Sequence, residues 1–218
     1  EAWLFTPTHA ELAVLIIGAV NKYARYMGYR GNLRERIDWG KKALEVAEQT
    51  RNTSAIAETC ASTIAWPLLQ QGDYAQAGEY CEKGMNAAVQ AHEPRWAGEA
   101  ARSLSGIARE QGLRDEARHW AQKAFEFARQ SGNTQLKRGA ILDLGYASML
   151  GRNYTQAEKR FRVLSKLAEG DKDKERLANR SVDVALAILN QGRVEEARKL
   201  IEYTLALGKE LQNEIVTG

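Results

Sequence analysis

Two cysteines, three histidines, three prolines and a net charge of only +3 are what this 218-residue sequence has least of. Cys60 and Cys81 have no second pair and no histidine cluster nearby, which argues against a disulfide framework or a zinc site and fits a reducing, cytoplasmic setting. His9, His92 and His119 fall in separate stretches without a partner at fixed spacing, so neither a metal nor a histidine dyad is expected. Basic and acidic side chains, 31 and 28, are interspersed, and no single-sign field suits nucleic acid. The longest apolar stretch, Leu12 to Val20, is less than half of the ~20 residues a membrane span needs. Glu1 and Glu11 flank it where a secretory signal would carry basic residues. No phosphate-binding loop of the Gly-x-x-x-x-Gly-Lys-Ser/Thr kind occurs, and no carboxylate pair stands out from the solvated charge. No cofactor is expected, and catalysis is not expected.

What is present is a repeat. Five blocks line up on Gly31, Gly72, Gly112, Gly151 and Gly192, at spacings of 41, 40, 39 and 41. Small residues one turn before each hairpin ends, Ala47, Ala88, Ala128, Ala168 and Gly208, keep the same period. A glycine just past a helix supplies the positive φ of a tight turn, and Asn32, Asp73 and Asn153 are positioned to cap the helix that follows. The linkers between blocks, such as Arg51-Asn-Thr-Ser and Ser131-Gly-Asn-Thr, are further turn and cap clusters. The expected fold is therefore an all-α solenoid: one array over 1–218, built of five antiparallel hairpins near 8–50, 53–91, 93–131, 133–169 and 171–212. With Glu1 as its first residue and a helix expected almost at once, the sequence is expected to be a segment of a longer protein.

The run Gly72, Tyr74, Ala77, Cys81, Gly84 is similar to the tetratricopeptide signature. Gly112, Ala117, Ala121 and Ala124 match it without the tyrosine; Ala157, Phe161 and Leu164 match after a one-residue insertion; Gly192, Ala197, Ile201 and Thr204 match with Val194 for tyrosine. Seven residues before the turns stand the small residues the family places at a close helix crossing, Ala24, Ala65, Ser105 and Ala185, with Gly145 fitting once the insertion is allowed. The first hairpin departs most, with Arg36 at a small-residue site and Gly40 in place of a larger apolar residue, and reads as a degenerate or capping repeat. The long period resembles the repeat arrays of bacterial STAND-type signalling NTPases, which implies the sensor segment of such a protein.

The resemblance also implies that the first helix of each hairpin lines a concave groove. The candidate groove residues are Asn21 and Arg25, Ser62 and Trp66, Arg102 and Arg109, Tyr146 and Met149, then Val182 and Leu186. Arginines beside aromatics suit a peptide or protein segment, with the alternative that Trp66 and Tyr146 belong to the core. Trp66-Pro67 within a helix predicts a kink. Asn21, Arg25 and Thr63 do not rebuild the carboxylate clamp of chaperone-binding relatives. The leading reading is a partner-sensing array that also contacts neighbouring domains of a longer chain. The alternatives are a free-standing assembly scaffold, a helical-repeat peptide-binding regulator, or an accessory segment of an enzyme whose catalytic part lies elsewhere.

Overall fold

The computed structural model describes residues 18–23 and 32–217, apart from the side chains of 212–217. The expected sites Arg25, Ala24, Gly31 and His9 lie outside the described residues. A short helix α1 (18–23) is followed by α2 (Leu33–Gln49), then by a rod made of α3 (Thr53–Glu58), a π-helical stretch (Thr59–Ile64) and α4 (Ala65–Gln70). After these come α5 (Tyr74–Gln90), α6 (Pro94–Glu110), α7 (Arg114–Ser131), α8 (Thr134–Leu150), α9 (Tyr154–Gly170), α10 (Lys174–Leu189) and α11 (Val194–Thr217). The fold is an all-α solenoid of hairpins, with no strand among the described residues. Two compact units divide it, one ending at Lys137 and one beginning at Arg138.

Two devices recur at the turns. The side chains of Asn32, Asn52, Asp73, Asn153 and Asp173 accept from the amide three residues on, holding a donor that the helix start leaves orphaned. At helix ends a single residue turns left-handed, and the next amide reaches back to a carbonyl five residues earlier: Asp73 to Leu68 at 3.0 Å, Leu113 to Ala108 at 2.8 Å, Asn153 to Ser148 at 2.8 Å. The left-handed residues at the turns inside hairpins are Gly72, Gly112, Arg152 and Gly192. Those between hairpins are Arg51, His92, Gly132 and Lys172.

This corrects the register expected at the fourth turn. Arg152, at φ 59, occupies the left-handed site rather than Gly151, so residues 152–157 align with 72–77 and there is no insertion in that repeat. The bonds that close the turn hold an arginine in a conformation where glycine is the easier choice. The extra residue lies elsewhere. From Arg51 to Gly72 is one residue longer than from His92 to Gly112, Gly132 to Arg152 or Lys172 to Gly192. It is absorbed in the π stretch, where the Ala65 amide bonds to the Cys60 carbonyl.

Small residues hold the second helix of each hairpin close to its neighbours. Ala77 and Cys81 on α5, and Ala117, Ala121, Ala124 and Ala128 on α7, are buried in the first unit. In the second unit Ala157 and Ala168 do this on α9, with the larger Phe161 and Leu164 buried between them. There Gly145 takes the ring of Phe161, and a Cβ at 145 would collide with its edge. Gly78 on α5 has open space around the same position. Gly145→Ala is expected to destabilise the protein by about 1–3 kcal/mol. Gly78→Ala is expected to stabilise it by about 0.5–1 kcal/mol, with urea titration reporting both.

Candidate partner-binding faces

Counting back ten, six and three residues from each left-handed turn gives the inner-face positions of the first helix of each hairpin. In the first unit they are Ser62, Trp66 and Leu69, then Arg102, Gly106 and Arg109. In the second they are Leu142, Tyr146 and Met149, then Val182, Leu186 and Leu189. One unit is cationic and aromatic at these positions; the other is nearly all apolar.

In the first unit Trp66 is 40% exposed, and the guanidinium of Arg36 lies 5.0 Å from its ring centroid. Arg36 donates to the Ser62 carbonyl, while the Ser62 hydroxyl bonds back to Glu58 O at 2.8 Å. Arg102 pairs with Glu99 at 3.3 Å and Arg109 with Glu110 at 2.7 Å, all four half exposed. Such surface pairs are worth little in water and can be exchanged for a ligand carboxylate. Asn21, expected in the groove, is instead fully buried. Its side-chain amide donates to Thr59 Oγ1 at 3.0 Å and accepts from Thr63 Oγ1 at 3.1 Å, so it fastens α1 to the rod and is closed to a partner.

In the second unit Tyr146 is half buried, with its ring 5.4 Å from that of Phe161 and its hydroxyl donating to Asp183 Oδ1 at 2.9 Å. Met149 packs beside it against the Phe161 core. Val182, Leu186 and Leu189, each more than 40% exposed, make an open apolar stripe along α10. Buried beside that stripe, Asp183 was missed by the groove count because it sits one position off the register. Arg180 Nη1 lies 3.0 Å from Asp183 Oδ2, but the approach does not form a directed hydrogen bond. Burial pushes the Asp183 carboxyl above the usual range, outweighing the nearby Arg180 charge and the Tyr146 bond that pull it down.

Glu158 shows the opposite balance. Burial raises it, but the bonds from Gln191 at 2.8 Å, Arg162 at 2.8 Å and Arg193 at 2.7 Å hold it below the usual range. It staples the turn before α11 to α9. Cys60 and Cys81 are buried, which pushes both thiols up to about 12 and leaves them as small protonated hydrophobes. Among the described residues no three metal-ligating side chains cluster, and no helix is long and apolar enough to cross a membrane.

Solved structures with the same arrangement were found. A Rap protein complexed with competence and sporulation factor superimposes with a TM-score of 0.76 at 15% identity, covering 89% of this chain and 54% of its own. The TPR-like repeats of a putative kinesin light chain from Podosopora anserina give 0.68 at 14% identity, covering 90% and 96%. BtubC from P. vanneervenii gives 0.69 at 13%, covering 93% and 92%. The fold is tetratricopeptide-like. No protein-family model and no curated protein matches the chain. The chain spans about half the length of the Rap protein it resembles.

The two carboxylates of the second tetratricopeptide-like unit yield opposite pH responses. Asp183, raised in the fold, favours folding as pH falls toward its unfolded value of about 3.9. Asp183→Asn should therefore be more stable than wild type at pH 7, with the difference closing near pH 4. Glu158, lowered in the fold, contributes stability above its unfolded value of about 4.3 and loses it as pH falls through the folded value. Glu158→Gln should be less stable at pH 7 and converge on wild type in acid, as read by melting curves across pH.

Proposed function

We propose that the chain is a scaffold that binds an extended peptide or protein segment, and that its work is binding rather than turnover. The observation that carries this is the first unit's inner face, where an exposed tryptophan on the rod has Arg102 and Arg109 at inner-face positions of the next hairpin. An indole supplies a rigid apolar anchor, and guanidinium groups take carboxylates in a forked geometry. The segment this suits is acidic and carries an apolar or aromatic residue. A Rap protein of similar fold, solved with competence and sporulation factor, supports a binding role without fixing the ligand here.

On this reading the array is the sensor segment of a larger bacterial STAND-type signalling NTPase in the cytoplasm. Occupation of the inner face then alters its contacts with neighbouring domains. The support is the long repeat period. The sequence of the intact gene tests it: a phosphate-binding loop upstream is the expected finding, and its absence sinks the sensor role.

A second reading, a free-standing assembly scaffold, is favoured by the exposed apolar side chains of the second unit, Val182, Leu186 and Leu189 on α10 with Val194, Ile201 and Leu205 on α11. It predicts self-association or partner capture that a Leu186→Glu, Ile201→Glu variant abolishes in sedimentation.

The binding role is tested by calorimetry with two blocked acidic heptapeptides, one with tryptophan and one with glycine at the centre. The tryptophan peptide should bind about tenfold more tightly, and Trp66→Ala should remove that preference. Equal, negligible heats from both peptides would reject the reading.

A further inference from the structure

The first hairpin's two departures from the tetratricopeptide pattern, Arg36 and Gly40, both touch the π stretch of the next helix. Arg36 donates to the Ser62 carbonyl, and a Cβ on Gly40 would stand 2.7 Å from Ile64 Cγ1 and 3.1 Å from Thr63 Cγ2. From the other side, a Cβ on Gly84 of α5 would come within 3.0 Å of the Ala61 amide and of Cys60 Cβ. A π segment is wider than an α-helix, and two facing glycines make the room it needs.

The sequence also marks where the regular helix resumes. The π stretch gives way to α4 at Ala65, and residue 67 lies in the first turn of that helix. Residue 67 is proline, which has no N–H. The Arg36 guanidinium, itself 7% exposed, donates to the Ser62 carbonyl one turn before that proline. The same guanidinium lies against the Trp66 ring, while the indole stays 40% exposed. At the matching register position of the next inner helix stands Gly106, without a side chain, between Arg102 and Arg109.

We propose that Arg36 is the positioning residue of a Trp66-centred subsite. By pinning the π-bulge at Ser62 and backing one face of the indole, it presents the remaining face to a planar or apolar side chain of an acidic peptide. The one-residue insertion, Gly40, Gly84 and Arg36 then form one device that builds an anchor into an otherwise regular array. This rests on the binding role above and adds to it a residue that does not itself face the ligand.

The test uses the same two heptapeptides and the full chain. Arg36→Ala should weaken the tryptophan peptide about tenfold and leave the glycine peptide unchanged, because only stacking on the indole is lost. Arg36→Lys, which keeps a donor and a charge, should hold the tryptophan peptide within about threefold of wild type. A residue that merely supported the fold would shift both peptides together, so the ratio of their affinities is the reading that matters. If Arg36→Ala proves unfolded by circular dichroism, Arg36→Gln, which removes the charge behind the indole while keeping amide donors, takes its place with the same expected loss. A wild-type ratio in the folded variant, with Trp66→Ala still losing it, overturns the role of Arg36 and leaves the groove standing. No preference for the tryptophan peptide in the wild-type chain overturns both.

Discussion

The three-residue turn with one left-handed residue is the constraint on which everything else depends. It satisfies the last carbonyls of one helix and, through the caps Asn52, Asp73, Asn133, Asn153 and Asp173, an orphan amide of the next. Because it recurs every 20 residues wherever no insertion intervenes, each helix meets its neighbours with the same face. Alanine stripes then pack at one depth, and inner-face positions recur in one column within each unit. The turn is strong enough to hold Arg152 and Lys172 where glycine would be easier.

When the count changes, the helix changes with it. One extra residue in the second hairpin cannot move a turn that is closed at both ends, so it widens the helix between them. The neighbours answer with glycines and a buried arginine. A sequence position that reads as family degeneracy is thus a complementary fit to an irregularity some two dozen residues away. Local irregularity in repeat proteins concentrates where regular packing has been given up for another purpose.

The two units differ in what their inner faces offer. In the first, charges are paired across the surface and an indole is held in place; in the second, valine and leucine lie open while the acid beside them is buried against tyrosine. Asp183 and Glu158 illustrate how burial alone does not decide a carboxylate. Glu158 has three donors and stays ionised more easily than usual, whereas Asp183 has one directed bond and resists ionisation.

The sequence by itself determined the helical hairpins, their period, the caps and the small-residue crossings, because these follow from local propensities repeated at fixed intervals. It also placed Trp66, Arg102, Arg109, Tyr146 and Met149 on the correct helices. Tertiary structure alone decided that Asn21 is a buried clasp, since only packing showed Thr59 and Thr63 meeting it. It alone moved the irregularity from the fourth repeat to the second, because glycine marks a left-handed residue only by preference and Gly151 stands beside the residue that adopts it. It alone gave Arg36 a place, since its bond to the Ser62 carbonyl and its contact with the Trp66 indole join separate helices, which no spacing along the chain records.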